Sequence, residues 1–206
     1  MRVKFLILLL IVILLTGCSI TKSTINISKN YEFNNKLFHY VALMPTKETI
    51  IDNETIELID DEIYDCISSG YYNATVFSQN HINAKINKAK LNADWEIFWN
   101  DYLETGFINT TFLDFLGKTL KVDLILQCEV IDIKKTFGIH RKVIGETTAQ
   151  IKLTMFSTKS GAVIWEAISL GTQGNAHSDQ SVPASIEAVE VALDELLDNL
   201  PFASNL

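Results

Sequence analysis

Cysteine, proline and arginine are scarce in this 206-residue chain. Three cysteines, Cys18, Cys66 and Cys128, are too few to build a disulfide scaffold, and none sits in a Cys-x-x-Cys or Cys/His spacing that suits zinc or redox work. His39, His81 and His140 are isolated, with no HxxxH, HxH or HExxH pattern to bring two ligands to one metal, so no metal site and no cofactor is predicted. Arg141 is the only arginine after Arg2, and 17 Lys and Arg against 25 Asp and Glu leave a formal net charge of -8. A surface of that sign repels phosphates, which excludes a general nucleic-acid-binding role and confines any contact with anionic lipid to a local patch. No apolar run reaches the ~20 residues of a membrane-spanning helix. No repeat, low-complexity tract or nucleophile-elbow motif interrupts the chain.

What is present is most telling at the N-terminus. Arg2 and Lys4 precede an apolar run from Phe5 to Leu15, about the length of a signal-peptide core, and the run ends in Leu15-Thr16-Gly17-Cys18. That tetrapeptide resembles the lipobox of bacterial lipoproteins: an apolar residue, two small ones that admit the backbone to a narrow peptidase site, and the cysteine whose sulfur takes the lipid. Residues 1–17 are therefore expected to be a signal peptide, with Cys18 carrying fatty acyl chains such as palmitate. Two or three chains suffice for stable anchoring at ~0.8 kcal/mol per buried methylene. Ser19, in place of Asp, implies by resemblance to lipoprotein sorting the periplasmic face of the outer membrane. Residues 18–36 are rich in Ser, Thr, Asn and Lys and predict a flexible tether, leaving 37–206 as one domain.

Periodicity within that domain alternates between strand and helix. Phe38 to Met44, closed by Pro45, predicts a buried first strand. Ile56, Ile59, Ile63 and Ile67 predict an amphipathic helix over Asn53 to Ser69 with Gly70 beyond its end, and Tyr71 to Phe77 a second strand. A short Lys-rich helix is expected over Ile82 to Leu91. Asp94 is expected to cap a helix bearing Trp95, Phe98, Trp99 and Tyr102 on one face and ending at Gly106, and Thr110 or Thr111 to cap another through Leu120. Strands follow at Val122 to Ile133, Thr147 to Phe156 and Ala162 to Leu170, the last two joined by a Thr158-Lys159-Ser160-Gly161 turn. Ser181 to Leu200, with Pro183 in its first turn and Pro201 after it, closes the chain as a helix. The fold class is α/β, a mixed sheet with helices packed on it in a single domain.

Several runs carry a family likeness. The lipobox, VALMP at Val41 to Pro45, GYY..VF through Phe77, LGKTLKVDLILQCEVIDI from Leu116 to Ile133, and STKSGAVIWE from Ser157 to Glu166 resemble periplasmic lipoproteins related to the curli-export component CsgG, the penicillin-binding-protein activator LpoB and the TolB amino-terminal domain. The resemblance implies a TolB amino-terminal-like fold and a membrane-anchored envelope protein that binds or helps assemble another protein. The long alternating strands of a membrane barrel are not seen, so a pore is not implied.

Each chemically suggestive cluster has a plain alternative. His177, Ser178 and Asp179 are adjacent, whereas a triad needs side chains that converge, so a polar loop is expected and an envelope hydrolase is the least favoured reading. Asp60, Asp61 and Glu62 lack the oxygen spacing of a calcium loop and predict a solvated helix face. Cys66 and Cys128 predict small buried hydrophobes, with a bridge as the alternative. The one-face spacing of Trp95 and Trp99 favours core packing, with an aromatic docking ridge as the alternative. Lys134, Lys135, His140, Arg141 and Lys142 flank an apolar stretch and predict a basic hairpin tip, with Lys135, Arg141 and Lys142 either as contacts for an acidic partner or lipid headgroups or, equally, as part of a solvated loop. The function expected is a non-catalytic, protein-binding accessory of the cell envelope. Self-association into a secretion or envelope ring is the alternative.

Overall fold

A computed structural model describes residues 20–30, 38–47, 51–70, 74–138, 145–175 and 182–201. The strands are β1 (Ile20–Asn30), β2 (Tyr40–Leu43), β3 (Thr75–Phe77), β4 (Leu124–Thr136), β5 (Glu146–Ser157) and β6 (Ala162–Gly174). The helices are α1 (Asn53–Gly70), α2 (Gln79–Ala89), α3 (Asn92–Thr105), α4 (Thr110–Leu120) and α5 (Ser185–Asp198). All six strands form one sheet in the order β1-β6-β5-β4-β2-β3. β2 runs parallel to β3 and β4, whereas the four long strands pair antiparallel. The chain is thus a mixed α/β single domain.

Alternation along the strands sends apolar side chains to two cores. Val41, Leu43, Leu124, Leu126, Ile151 and Leu153 face α1 and α5, meeting Ile59, Ile63, Ile67, Val189, Leu193 and Leu196. Ala42, Ile125, Phe156 and Val163 face the other way, toward Ile82, Ile86, Trp95, Phe98, Leu113 and Leu116 of α2, α3 and α4. α1 buries Ile59, Ile63 and Ile67 at helical spacing, together with Thr55 in place of Ile56. On β5, Ala149, Ile151, Leu153 and Met155 are all fully buried on the α1/α5 side, as the two-residue period requires.

Turn chemistry closes the elements. Gly106 ends α3 in the left-handed conformation and donates its N–H to the Tyr102 carbonyl at 2.9 Å. Gly161, at φ +65, turns β5 into β6. Lys90 and Lys121 take the same left-handed geometry after α2 and α4. Asn109 caps α4, its side chain accepting the Phe112 N–H at 3.0 Å; Thr110 and Thr111 lie inside the helix instead. α3 starts at Asn92, so Asp94 sits in its first turn, where a carboxylate still complements the helix dipole. Pro183 precedes α5, and its carbonyl accepts from Thr147 Oγ1 at 2.7 Å.

The largest departure from expectation is the tether. Residues 20–30 are a strand of the sheet, paired with β6 from Ile20↔Gly174 to Asn30↔Trp165. Its Ile and Thr content favours extended backbone, but as an edge strand it leaves most side chains in solvent and so has little apolar alternation to read. Residues 20–30, within the predicted tether, thus belong to the sheet.

Candidate functional site

The α1/α5 face of the sheet is packed by one large apolar cluster over β2, β4, β5 and β6, whereas the opposite face changes character halfway along. Near the β5–β6 turn it is packed by α3 and α4. Further along β4, β5 and β6, polar side chains replace apolar ones on that same face. Glu166, only 8% exposed, is the hub. Its carboxylate accepts from Ser28 Oγ at 2.6 Å, from Thr154 Oγ1 at 3.3 Å and from the Tyr102 hydroxyl, and it pairs with Lys152 Nζ at 3.0 Å. Four elements, β1, α3, β5 and β6, thereby converge on one carboxyl group. The Lys29 ammonium donates to Tyr102 Oη at 3.1 Å and lies 5.0 Å from its ring centre, and Lys152 lies 5.1 Å from the same ring.

The electrostatics follow from this packing. Burial alone would raise the Glu166 carboxyl, but donors from Ser28, Tyr102 and Lys152, with the lysine's charge, hold it down to about 2. Burial, the hydrogen bond to Glu166 and that carboxylate's charge push the Tyr102 phenol well above its ordinary value. Glu166 is therefore an anion and Tyr102 a neutral donor across the physiological range, and neither is poised to exchange a proton. The cluster is organised for fixed charge and shape.

Beside the hub, a cleft of about 570 Å³ opens between α3 and β4, β5 and β6, lined by Lys47, Glu96, Trp99, Glu129, Lys152 and Ile168 among others. Lys47 is ion-paired with Glu96. Its backbone is tied to β4 by Lys47 N–H to the Cys128 carbonyl and Val130 N–H to the Lys47 carbonyl, both 2.9 Å. Burial raises the Glu129 carboxyl, opposed by the charges of Lys152 and Lys47. A bulge between Val130 and Asp132 leaves Ile131 40% exposed at the rim. Leu170 and Leu103 are 42% and 39% exposed. The open half-face thus presents apolar side chains around a charged cleft.

The candidate residues divide sharply. Trp95 and Trp99 are 3% and 2% exposed, stacked on each other and set edge-on to Phe156, so they are core and no docking ridge. Ile97, Leu103 and Phe107 are the exposed apolar residues of that helix and its exit. Lys135 is exposed at the end of β4, opposite Thr147. Arg141, Lys142 and His140 lie outside the described residues, as do Leu15, Thr16, Gly17 and Cys18, and the His177-Ser178-Asp179 run. Cys66 and Cys128 are both free thiols, so the bridge is not formed. Burial pushes the Cys128 thiol up to about 12.

The acidic cluster on α1 is not one solvated face. Asp60 turns inward and accepts from Thr46 Oγ1 at 2.6 Å; burial raises its carboxyl, and the Thr46 hydrogen bonds oppose that. Asp61 is exposed, and burial with the charges of Asp194 and Glu190 raises the Glu62 carboxyl. Among the described residues, no group of three or more His, Cys, Asp or Glu is arranged to hold a metal ion, and no helix is long and apolar enough to cross a membrane.

Sequence reading missed Ser28, Tyr102, Lys152 and Glu166 as one cluster. The available signal was polarity within buried strands: Gln127 and Glu129 interrupt an aliphatic run in β4, and Glu166 sits between Trp165 and Ala167 in β6.

Neither protein-family models nor curated proteins match this sequence. Solved structures do share its fold. The hypothetical protein CT253 from Chlamydia trachomatis superposes with a TM-score of 0.51 at 12% identity, over 82% of this chain and 99% of that one. Lipoprotein GNA1162 from Neisseria meningitidis gives 0.49 at 13% identity, over 78% and 99%. The LpoB C-terminal domain from Escherichia coli gives 0.39 at 6% identity, over 65% and 83%. At these identities the likeness concerns the fold alone.

Proposed function

We propose that this chain is a lipid-anchored accessory of the bacterial cell envelope that recognises another envelope protein and catalyses no reaction. Signal peptidase removes residues 1–17 at the Leu15-Thr16-Gly17 lipobox, Cys18 carries the acyl chains, and the domain faces the periplasm from the outer membrane. The observation that carries the recognition role is the open half-face of the sheet. There Ile131 and Leu103 line a charged cleft, with exposed Leu170 two residues beyond the lining Ile168 on β6, and the cleft's carboxylates and ammonium groups are held in place by strand pairing and by the Glu166 hub. Apolar patches rimmed by ordered charge are the usual chemistry of specific protein contacts.

The test is capture of envelope proteins by the lipidated chain in mild detergent. A partner enriched over an unrelated lipoprotein, and lost when Leu170→Glu and Ile131→Glu are combined, is the expected result. Equal capture by the double variant places recognition elsewhere. Intact-mass measurement of the membrane-extracted protein tests the anchor: a chain that starts at Met1 with an unmodified Cys18 thiol removes it.

A second reading, a subunit of a homo-oligomeric ring, is favoured by β1. Ten of its eleven residues pair with β6, and no described strand pairs on its other side, which leaves a long strand edge for a second copy. Molecular mass in solution at micromolar concentration separates the two: a monomer sets the ring aside.

A further inference from the structure

Strand register places four chain segments in one row at one end of the sheet. Ile20 pairs with Gly174, Gly174 with Glu146, and Glu146 with Thr136. The start of β1 therefore lies beside the end of β6 and the hairpin end of β4 and β5. Cys18 is two residues before Ile20, so its sulfur is confined by covalent reach to within ~7 Å of chain from that row, plus its own side chain. With no slack between lipid and sheet, the acyl chains and this end of the sheet meet the same surface.

The chemistry of that end suits such a surface. Lys22 and Lys134 occupy the next row on one face, through Lys22↔Thr172, Thr172↔Thr148 and Thr148↔Lys134, and Lys135 stands on the other face opposite Thr147; all three are exposed. Phe137, directly after β4, is 69% exposed, the most exposed large apolar residue of those described. Glu146 in the terminal row, Asp132 two residues before Lys134 on the same strand face, and Glu187 in the first turn of α5 are opposing charges at or near this end. Three of the helices have the opposite sign: every charged residue on α1, α3 and α5 is Asp or Glu, whereas α2, against β2 and α4, carries Lys85 and Lys88. An anionic bilayer repels those helices and attracts the hairpin end, which orients the domain.

We propose that this end of the sheet lies on the bilayer, with Lys22, Lys134, Lys135 and Phe137 contacting anionic lipid headgroups beside the Cys18 anchor. It rests on the reading of Cys18 as lipidated and adds a second, protein-borne membrane contact to it. One acyl-anchored residue leaves a domain free to tumble about it. A basic and aromatic contact at the same end holds the open half-face of the sheet at a set angle to the membrane.

The experiment uses the mature chain with Cys18→Ser, so that binding reports the protein surface alone. It is mixed with vesicles of phosphatidylcholine, with and without phosphatidylglycerol. Expected is co-sedimentation with the phosphatidylglycerol vesicles that weakens with salt. About fivefold should be lost for each of Lys134→Gln and Lys135→Gln, with a further loss for Phe137→Ser and an unchanged thermal midpoint in every variant. Binding independent of phosphatidylglycerol, or unaltered in the triple variant, overturns the proposal. Orientation is read on the lipidated protein carrying Phe137→Trp: lipids brominated on the acyl chain quench the added tryptophan, whereas Trp95, Trp99 and Trp165 are buried. An unquenched signal also overturns it. Intact mass is read on that same sample, so loss of the anchor and loss of the surface contact are told apart.

Discussion

The two faces of the central sheet solve different problems. On one, α1 and α5 meet β4, β5 and β6 through aliphatic side chains, and α5 approaches β6 so closely that Gly171 is needed: a Cβ there would lie 2.3 Å from the Ala188 carbonyl oxygen and 2.4 Å from the Ala192 nitrogen. On the other, α3 meets the same strands through aromatic rings and then gives way to Glu166, Lys152, Tyr102 and Glu129 around a cleft. Apolar burial is non-directional and tolerates many arrangements of similar volume; a buried ion pair with several donors permits one. The first face therefore supplies most of the stability. The second trades some of it for a fixed charge pattern at a surface.

This contrast is open to direct attack. The largest effect is expected from Gly171→Val, which drives a branched side chain into the α5 backbone and should cost about 3 kcal/mol or more in denaturant unfolding. Close behind, Glu166→Gln should cost about 3 kcal/mol, because Lys152 and Tyr102 lose the anion that satisfies them. Adding Lys152→Met should recover part of that loss. Strict additivity of the two changes in a double-mutant cycle would mean that the pair is not coupled.

Acid should separate the faces next. The Glu166 carboxyl lies near 2 in the fold against an ordinary 4.5, so its contribution is complete above about pH 4.5 and fades as pH falls through 2. Urea unfolding should show a loss of about 2 kcal/mol across that window once solvent screening is allowed for. Glu129 and Asp60 act with the opposite sign, since burial raises both in the fold. Their protonation adds stability as pH drops toward the ordinary carboxylate range. A stability maximum at mildly acidic pH is expected, and Glu166→Gln should remove its steep acid side. The smallest effect should come from Leu170→Ser on the open half-face, within about 0.5 kcal/mol of the parent. A larger loss there would show the half-face to be core.

Legibility followed the range of the interactions. The stripe Ile59, Ile63, Ile67 and the alternation Ala149, Ile151, Leu153, Met155 named their elements and their buried faces, because helix and strand periods are written in neighbouring residues. Trp95 and Trp99 were legible as a shared helix face with core packing as its favoured role; what packs against that face removed the docking-ridge alternative. β1 was misread as a tether because an edge strand with both faces largely wet carries no apolar period. The Glu166 cluster was invisible: Ser28, Tyr102, Lys152 and Glu166 lie far apart in the chain and have no common spacing.

The sequence by itself determined the α/β class, most of the elements and the motif on which the lipid anchor is proposed, because propensity, period and turn chemistry act over a few residues. Only the tertiary structure decided that residues 20–30 join the sheet, that four distant side chains close on one carboxylate, and that the start of β1 shares an edge with the β4–β5 hairpin. Register and edge pairing are settled by the free energy of the whole sheet, in which each strand is placed by partners that local sequence does not specify.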